Sequence, residues 1–282
     1  MGGTTVILGA GGMVAPSLMT LLTRRGTGGL CYSRRSPLPP HGNFTIRSLD
    51  AITELPQGAI IVAPMPIVDL PPLLPALSGG KRLIAFSSAQ IYTNANARER
   101  LLAAEDLVQT FCAGHRIAWT IMRPAMIYHP PDDRNVSTLA RFIRKFRFLP
   151  VCGRASGLRQ PVHADDLAVA VADAIEAAAA CNRAFDLPGG ETLTFRAMAV
   201  RIFRALAMTP LIVPVPKRLL GWSFELYARR RPSVLADTKL TENVAERVIE
   251  LMNSDFVLDA APAAQAFGYR PRPFAPIFPP GF

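Results

Sequence analysis

Gly9, Gly11 and Gly12 fall directly after the apolar run Thr4-Thr5-Val6-Ile7-Leu8, and Met13, Leu18, Leu21 and Leu22 follow at helical spacing. A strand, a glycine turn and a helix in that order make a seat for a pyrophosphate. Glycines permit the tight turn and let backbone N–H groups come close, and the helix N-terminus aims its partial positive charge at the anion. The spacing is Gly-x-x-Gly-x-x-Ala, met by Gly9, Gly12 and Ala15; Val14 stands where Gly-x-Gly-x-x-Gly would need its third glycine. A second set of candidates is hydroxylic. Ser87, Ser88 and Tyr92 follow the run Arg82-Leu83-Ile84-Ala85-Phe86, and Tyr128 follows the next one, Ile117 to Met122. Hydroxyls at strand ends can orient a substrate and exchange a proton with it, which makes Tyr92 and Tyr128 catalytic candidates by position.

The first acidic residue of the chain is Asp50, so no carboxylate is available about 20 residues past the glycines to hold a ribose 2′-hydroxyl. Ser33-Arg34-Arg35 stands there instead, with a hydroxyl and two guanidinium forks suited to a 2′-phosphate. The expected cofactor is therefore NADP in preference to NAD. Its expected binding set is Gly9, Gly11, Gly12, Met13, Ser33, Arg34, Arg35, Ala63 and Ser87. Arginines that are merely solvated are the alternative for Arg34 and Arg35.

The frame for these residues is legible as apolar runs at 30–32, 59–63, 82–86 and 117–122, the pattern of strands buried on both faces. Residues 98–112 and 165–180 read as covering helices. Together they predict an α/β fold: a Rossmann-type, doubly wound, mostly parallel sheet. After Gly190 the chain changes character, with an amphipathic helix over 195–207, prolines at 210, 214 and 216, and a Pro-rich tail from Pro271. The expected division is a dinucleotide-binding domain over 1–188, with 129–159 as a substrate-side excursion, and a smaller C-terminal substrate lobe over 189–282.

Five segments carry a resemblance to the short-chain dehydrogenase/reductase superfamily, in its extended or atypical, NAD-dependent epimerase/dehydratase-like form. They are Gly9 to Ala15, Phe86 to Tyr92, Arg123 to Tyr128, Gln160 to Asp166 and Phe267 to Pro273, so the likeness runs over nearly the whole chain. It implies hydride chemistry on a nucleotide sugar or a similar phosphate-bearing metabolite, and it gives Ser88 the role of polarising the substrate. The main acid/base of that family is a Tyr-x-x-x-Lys pair, and no such pair occurs here. If Glu105 matches the family's acidic residue four beyond the Lys, Ala97 replaces the Tyr and Leu101 the Lys. The resemblance therefore leaves two readings: an atypical oxidoreductase or epimerase with Tyr92 or Tyr128 as a substitute phenol, or a noncatalytic NADP(H)-binding sensor, regulatory or assembly protein.

Composition narrows the rest. With 50% hydrophobic and 18% charged residues over 282 positions, the chain is neither disordered nor too short for a large core. Cys31, Cys112, Cys152 and Cys181 form no Cys-x-x-Cys, so neither a zinc site nor a disulfide framework is expected. No targeting segment is visible, and the expected location is cytoplasmic. His163-Ala164-Asp165-Asp166 reads as a helix start capped by Asp165 or Asp166 rather than as metal ligands. The net charge of +10 favours polyanionic partners. Residues 141–159 hold six basic side chains among Phe142, Phe146 and Phe148, and residues 217–231 hold five among apolar ones. A core-packed basic helix or a phosphate-bearing small molecule accounts for them better than nucleic acid or a membrane surface. A homodimer is carried as an open expectation.

Overall fold

The computed structural model describes residues 4–34, 39–131, 133–217 and 244–282; Arg35 and residues 218–231 lie outside them. Among the described residues the chain forms two compact units. The first draws on 1–127, 161–190 and 258–273, the second on 128–160, 191–257 and 274–282.

Seven strands build the sheet of the first unit: β1 (Thr5–Leu8), β2 (Gly29–Ser33), β3 (Phe44–Ser48), β4 (Ala59–Pro66), β5 (Gly80–Phe86), β6 (Ala118–Pro124) and β7 (Arg183–Leu187). Their order is 7-6-5-4-1-2-3, and every neighbouring pair is parallel. This is the doubly wound Rossmann arrangement. The order reverses between β1 and β4, which opens a crevice at their C-terminal ends. Burial on both faces explains the apolar runs. Val6, Leu8, Ile61, Leu83 and Ile121 face one layer, while Ile7, Cys31, Val62, Ile84 and Met122 face the other.

Among the described residues the helices are α1 (Ala15–Arg24), α2 (Ala95–Gly114), α3 (Val136–Phe146), α4 (Ala164–Glu176), α5 (Phe195–Ala205), α6 (Val244–Asn253) and α7 (Ala261–Phe267). On one side of the sheet α1 buries Ala15, Leu18, Met19 and Leu22 against the alanine-rich face of α4. Pro16 sits in the first turn of α1, where its missing N–H has no helical partner to lose. On the other side lie α2 and the 3-10 turns Ile67–Asp69 and Pro71–Leu77. The Asn94 side chain caps α2 by accepting from Ala97 N–H at 3.1 Å.

The cap of α4 corrects the sequence expectation. His163 Nδ1 accepts the Asp165 N–H at 3.1 Å, while the Asp166 carboxylate is taken by Arg272, through its backbone N–H at 3.0 Å and its Nε at 2.8 Å. Asp165 accepts instead from the Ser17 hydroxyl at 2.6 Å, tying α4 to the first turn of α1.

In the second unit α3 buries Val136, Ala140 and Ile143 and exposes Arg141, Arg144 and Lys145, and Phe142 packs against Phe146 and Phe148. Short ribbons pair Leu149–Val151 with Ile212–Pro214 and Leu158–Arg159 with Leu193–Thr194. No helix among the described residues is long and apolar enough to cross a membrane.

Candidate functional site

Register sets the level of the site. Phe86 pairs with Met122 and Arg123 with Asp186, so Ser87, Arg123 and Asp186 stand together at the C-terminal ends of β5, β6 and β7. The two-residue alternation of strands turns all three toward α2, which supplies Glu105. Glu105 is 1% exposed and fully engaged. Its Oε1 accepts from Arg123 Nε at 3.0 Å and from the Ser87 hydroxyl at 2.5 Å, and its Oε2 accepts from Arg123 Nη2 at 2.5 Å. This is a forked, charge-assisted pair, the geometry for which arginine is best suited.

Arg123 continues the network outward. Its Nη1 donates to the Tyr92 hydroxyl at 3.5 Å, and Tyr92 donates to Asp186 at 2.9 Å (Oδ2) and 3.2 Å (Oδ1). Tyr92 ends the 3-10 turn Ala89–Tyr92 and is 52% exposed, so the inner end of the network is closed and its outer end open to solvent. Partial burial of its hydroxyl end, then the Asp186 hydrogen bond and charge, push the Tyr92 phenol above its ordinary range. Burial also raises Asp186 above the usual carboxylate range; the Tyr92 bond and Arg123 oppose that rise without cancelling it. The arrangement holds the Tyr92 phenol on a carboxylate that is easier to protonate than usual.

The other hydroxylic candidates are placed differently. Ser88 is half-buried and caps the 3-10 turn, its Oγ accepting from Gln90 N–H at 3.2 Å. Tyr128 belongs to the second unit and is 1% exposed, with its ring edge-on to Phe274 at 4.9 Å and its hydroxyl accepting from Ala275 N–H at 3.4 Å. At the positions matched to the family's Tyr and Lys, Ala97 and Leu101 pack on the core layer under α2, and Leu101 is buried. Arg123 and Asp186 were outside the catalytic candidates read from sequence. The signal was present: Ile121-Met122-Arg123 and Phe185-Asp186-Leu187 each place a lone charge near the end of an apolar strand, with opposite signs on strands that pair.

The glycine turn lies at the end of β1, four strands from β7 in the sheet order. Gly9 has φ +99°, and a Cβ there would stand 3.1 Å from the Met65 Cβ. A Cβ on Gly12 would meet the carbonyl oxygen of Gly9 at 3.3 Å. Gly9 and Ala10 donate their N–H groups to the Tyr32 carbonyl at 2.7 and 3.0 Å. The helix that follows has no side-chain cap and no acid in its first turn. A close backbone approach and a helix N-terminus without a side-chain cap are what a pyrophosphate requires, so these residues fit a dinucleotide. Around the turn, Gly11 is exposed, Met13 is half-buried on the core, and Ala63 and Ser33 are buried. Arg34 is exposed and pairs with Asp69 at 3.2 Å.

No protein-family model matches the chain. A 98-residue stretch is 29% identical to the mitochondrial NADH dehydrogenase [ubiquinone] 1 alpha subcomplex subunit 9 of Arabidopsis thaliana, covering 34% of this chain and 24% of that protein. The chain thus matches about a quarter of that relative's length. Among solved structures, MoeE5 in complex with UDP-glucuronic acid and NAD aligns with a TM-score of 0.70 at 16% identity, over 96% of this chain and 95% of that one. A short-chain dehydrogenase/reductase superfamily protein from Agrobacterium tumefaciens with bound NAD aligns with a TM-score of 0.61 at 16% identity, over 76% and 86%. The chain shares the Rossmann-type α/β fold of these structures. At these identities the likeness is one of fold; in this chain the Gly9 turn and the Tyr92–Asp186 network both lie at the carboxyl ends of the sheet's strands.

Proposed function

We propose that the chain binds a nicotinamide dinucleotide, NADP in preference to NAD, at the Gly9–Gly12 turn and the start of α1, and acts as an atypical oxidoreductase or epimerase on a nucleotide sugar or a similar phosphate-bearing metabolite. The observation that carries this reading is the Tyr92–Asp186 pair at the carboxyl end of the sheet that also forms the turn. The NAD and UDP-sugar complexes of its structural neighbours support the ligand class.

When bound, the nicotinamide supplies hydride exchange with a substrate carbon. This chain's residues handle the accompanying proton. As a substrate hydroxyl is oxidised, its proton passes to the Tyr92 oxygen while Tyr92 passes its own to Asp186; reduction runs the same path in reverse. A phenol pushed upward would be a poor base by itself, since the phenolate it would need is disfavoured. Relayed to a carboxylate whose proton affinity is raised, it never has to ionise. Glu105 fixes Arg123 by its two bonds, and Arg123 holds the far side of the Tyr92 oxygen. Gly9, Gly11 and Gly12 would seat the pyrophosphate, and Arg34 and Arg35 would meet the 2′-phosphate.

A second reading is favoured by Ala97 and Leu101, which leave the usual proton donor and its lysine absent. In it the chain is a noncatalytic dinucleotide-binding component of a larger redox assembly, consistent with the name of its plant relative. Nicotinamide absorbance followed across a panel of nucleotide sugars separates the two. Turnover that falls in Tyr92→Phe supports the enzyme, and binding with silence across the panel supports the component.

A further inference from the structure

Arg34 and Asp69 form an ion pair across the mouth of the glycine turn. Arg34 follows the last residue of β2, and Asp69 lies three residues beyond the last residue of β4. In the sheet β1 runs between those two strands, so the pair spans the C-terminal end of β1 where Gly9 begins the turn. The turn itself is held from the same two sides: Tyr32 of β2 accepts the Gly9 and Ala10 N–H groups, and Met65 of β4 closes the space beside the Gly9 Cα. The guanidinium that the cofactor reading assigns to a 2′-phosphate is therefore already committed to a carboxylate, Nη2 to Oδ2 at 3.2 Å.

We propose that Asp69 is a specificity-determining residue of the dinucleotide site, one that competes with the ligand for Arg34. The inference rests on the cofactor reading above. The side chains are 67% and 37% exposed, so the pair is accessible and exchanges at little cost. A phosphate carries more charge than a carboxylate and offers the guanidinium a forked partner, so it displaces Asp69. A ribose with a bare 2′-hydroxyl has no such group and leaves the pair closed. Asp69 thereby lowers the affinity for NADP while leaving that for NAD unaffected, and so sets the ratio between them.

The test is calorimetric titration with NADP and NAD of the full chain and of Asp69→Asn, Arg34→Ala and the double variant, at low and at high salt. Asp69→Asn is expected to tighten NADP two- to fivefold, about the range available to one exposed ion pair, and to leave NAD unchanged. Arg34→Ala is expected to weaken NADP at least tenfold and to remove the effect of Asp69→Asn in the double variant. The gain from Asp69→Asn should shrink at high salt, because exposed charges are screened there. Binding with an unaltered NADP/NAD ratio in Asp69→Asn overturns this inference and leaves the cofactor reading standing. Weaker NAD with unchanged NADP also overturns it, showing Asp69 as a ribose acceptor. No binding of either dinucleotide by the unaltered chain overturns the cofactor reading and this inference with it.

Discussion

Glu105→Ala removes the buried anchor of the strand-end network, and its cost follows from the geometry. The carboxylate is 1% exposed and accepts two bonds from Arg123 and one from Ser87. Breaking a buried ion pair by deleting one partner costs about 3–5 kcal/mol, because the other charge stays buried without compensation. Arg123 is 18% exposed and retains Tyr92 as a contact, which places the loss near the lower end. Ser87, left without its acceptor, adds about 1 kcal/mol. A total of about 4 kcal/mol corresponds to a fall of about 7 °C in melting temperature for a chain of this size. Thermal and urea unfolding followed by circular dichroism measure it. The double variant Glu105→Leu with Arg123→Met removes both charges together and should recover more than half of the loss. A Glu105→Ala protein melting within 2 °C of the unaltered one, or a double variant as unstable as the sum of the singles, would refute the reasoning.

Other expectations follow from the same network and core. The carboxyl of Asp186 is raised in the folded chain, so its contribution to stability is complete below the ordinary carboxylate range and is lost as pH rises through the raised value. Asp186→Asn keeps an acceptor for Tyr92 but cannot ionise, so its melting temperature should gain on the unaltered protein as pH climbs from that range toward 7; a difference independent of pH contradicts the assignment. If Tyr92 relays a proton, Tyr92→Phe should lower kcat at least a hundredfold with dinucleotide affinity unchanged, and full turnover in that variant removes Tyr92 from the path. Burial pushes the Cys31 and Cys112 thiols up to about 12 and Cys152 is buried, while Cys181 is partly exposed. Native labelling with a maleimide at pH 7.5 should therefore modify Cys181 first; early modification of Cys31 or Cys112 by mass spectrometry would show that the core opens readily.

Periodicity made the frame of the first unit readable, since strands buried on both faces leave uninterrupted apolar runs such as Ala59 to Ala63. Two strands escaped that signal for a physical reason. β3 is an edge strand with alternating exposure and carries Arg47, and β7 pairs only with β6 and ends in Asp186-Leu187. The place of 258–273 in the first unit has no local signature either. It depends on contacts distant in sequence, such as Arg272 on Asp166 and the Tyr269 hydroxyl donating to the Pro188 carbonyl at 2.7 Å. The glycine turn was legible because its first requirement is local, a positive φ at Gly9, whereas the space denied by Met65 comes from a strand 56 residues on. The strand-end network was legible only in part. Tyr92 could be found from its position after a strand, but the partner its hydroxyl adopts comes from a residue 94 positions away, brought level by strand pairing. The same is true of Arg34, whose sequence suggests a waiting phosphate site and whose structure shows a carboxylate already there.

Titration of the purified chain with NADPH and NADH, beside the Gly9→Val variant checked for an unaltered circular dichroism spectrum, tests the central claim most directly. The account predicts one site that takes NADPH more tightly than NADH and is lost in Gly9→Val, where the new side chain would run into Met65 and close the turn to a pyrophosphate. Equal binding by the folded variant, or no binding of either dinucleotide by the unaltered chain, would contradict it.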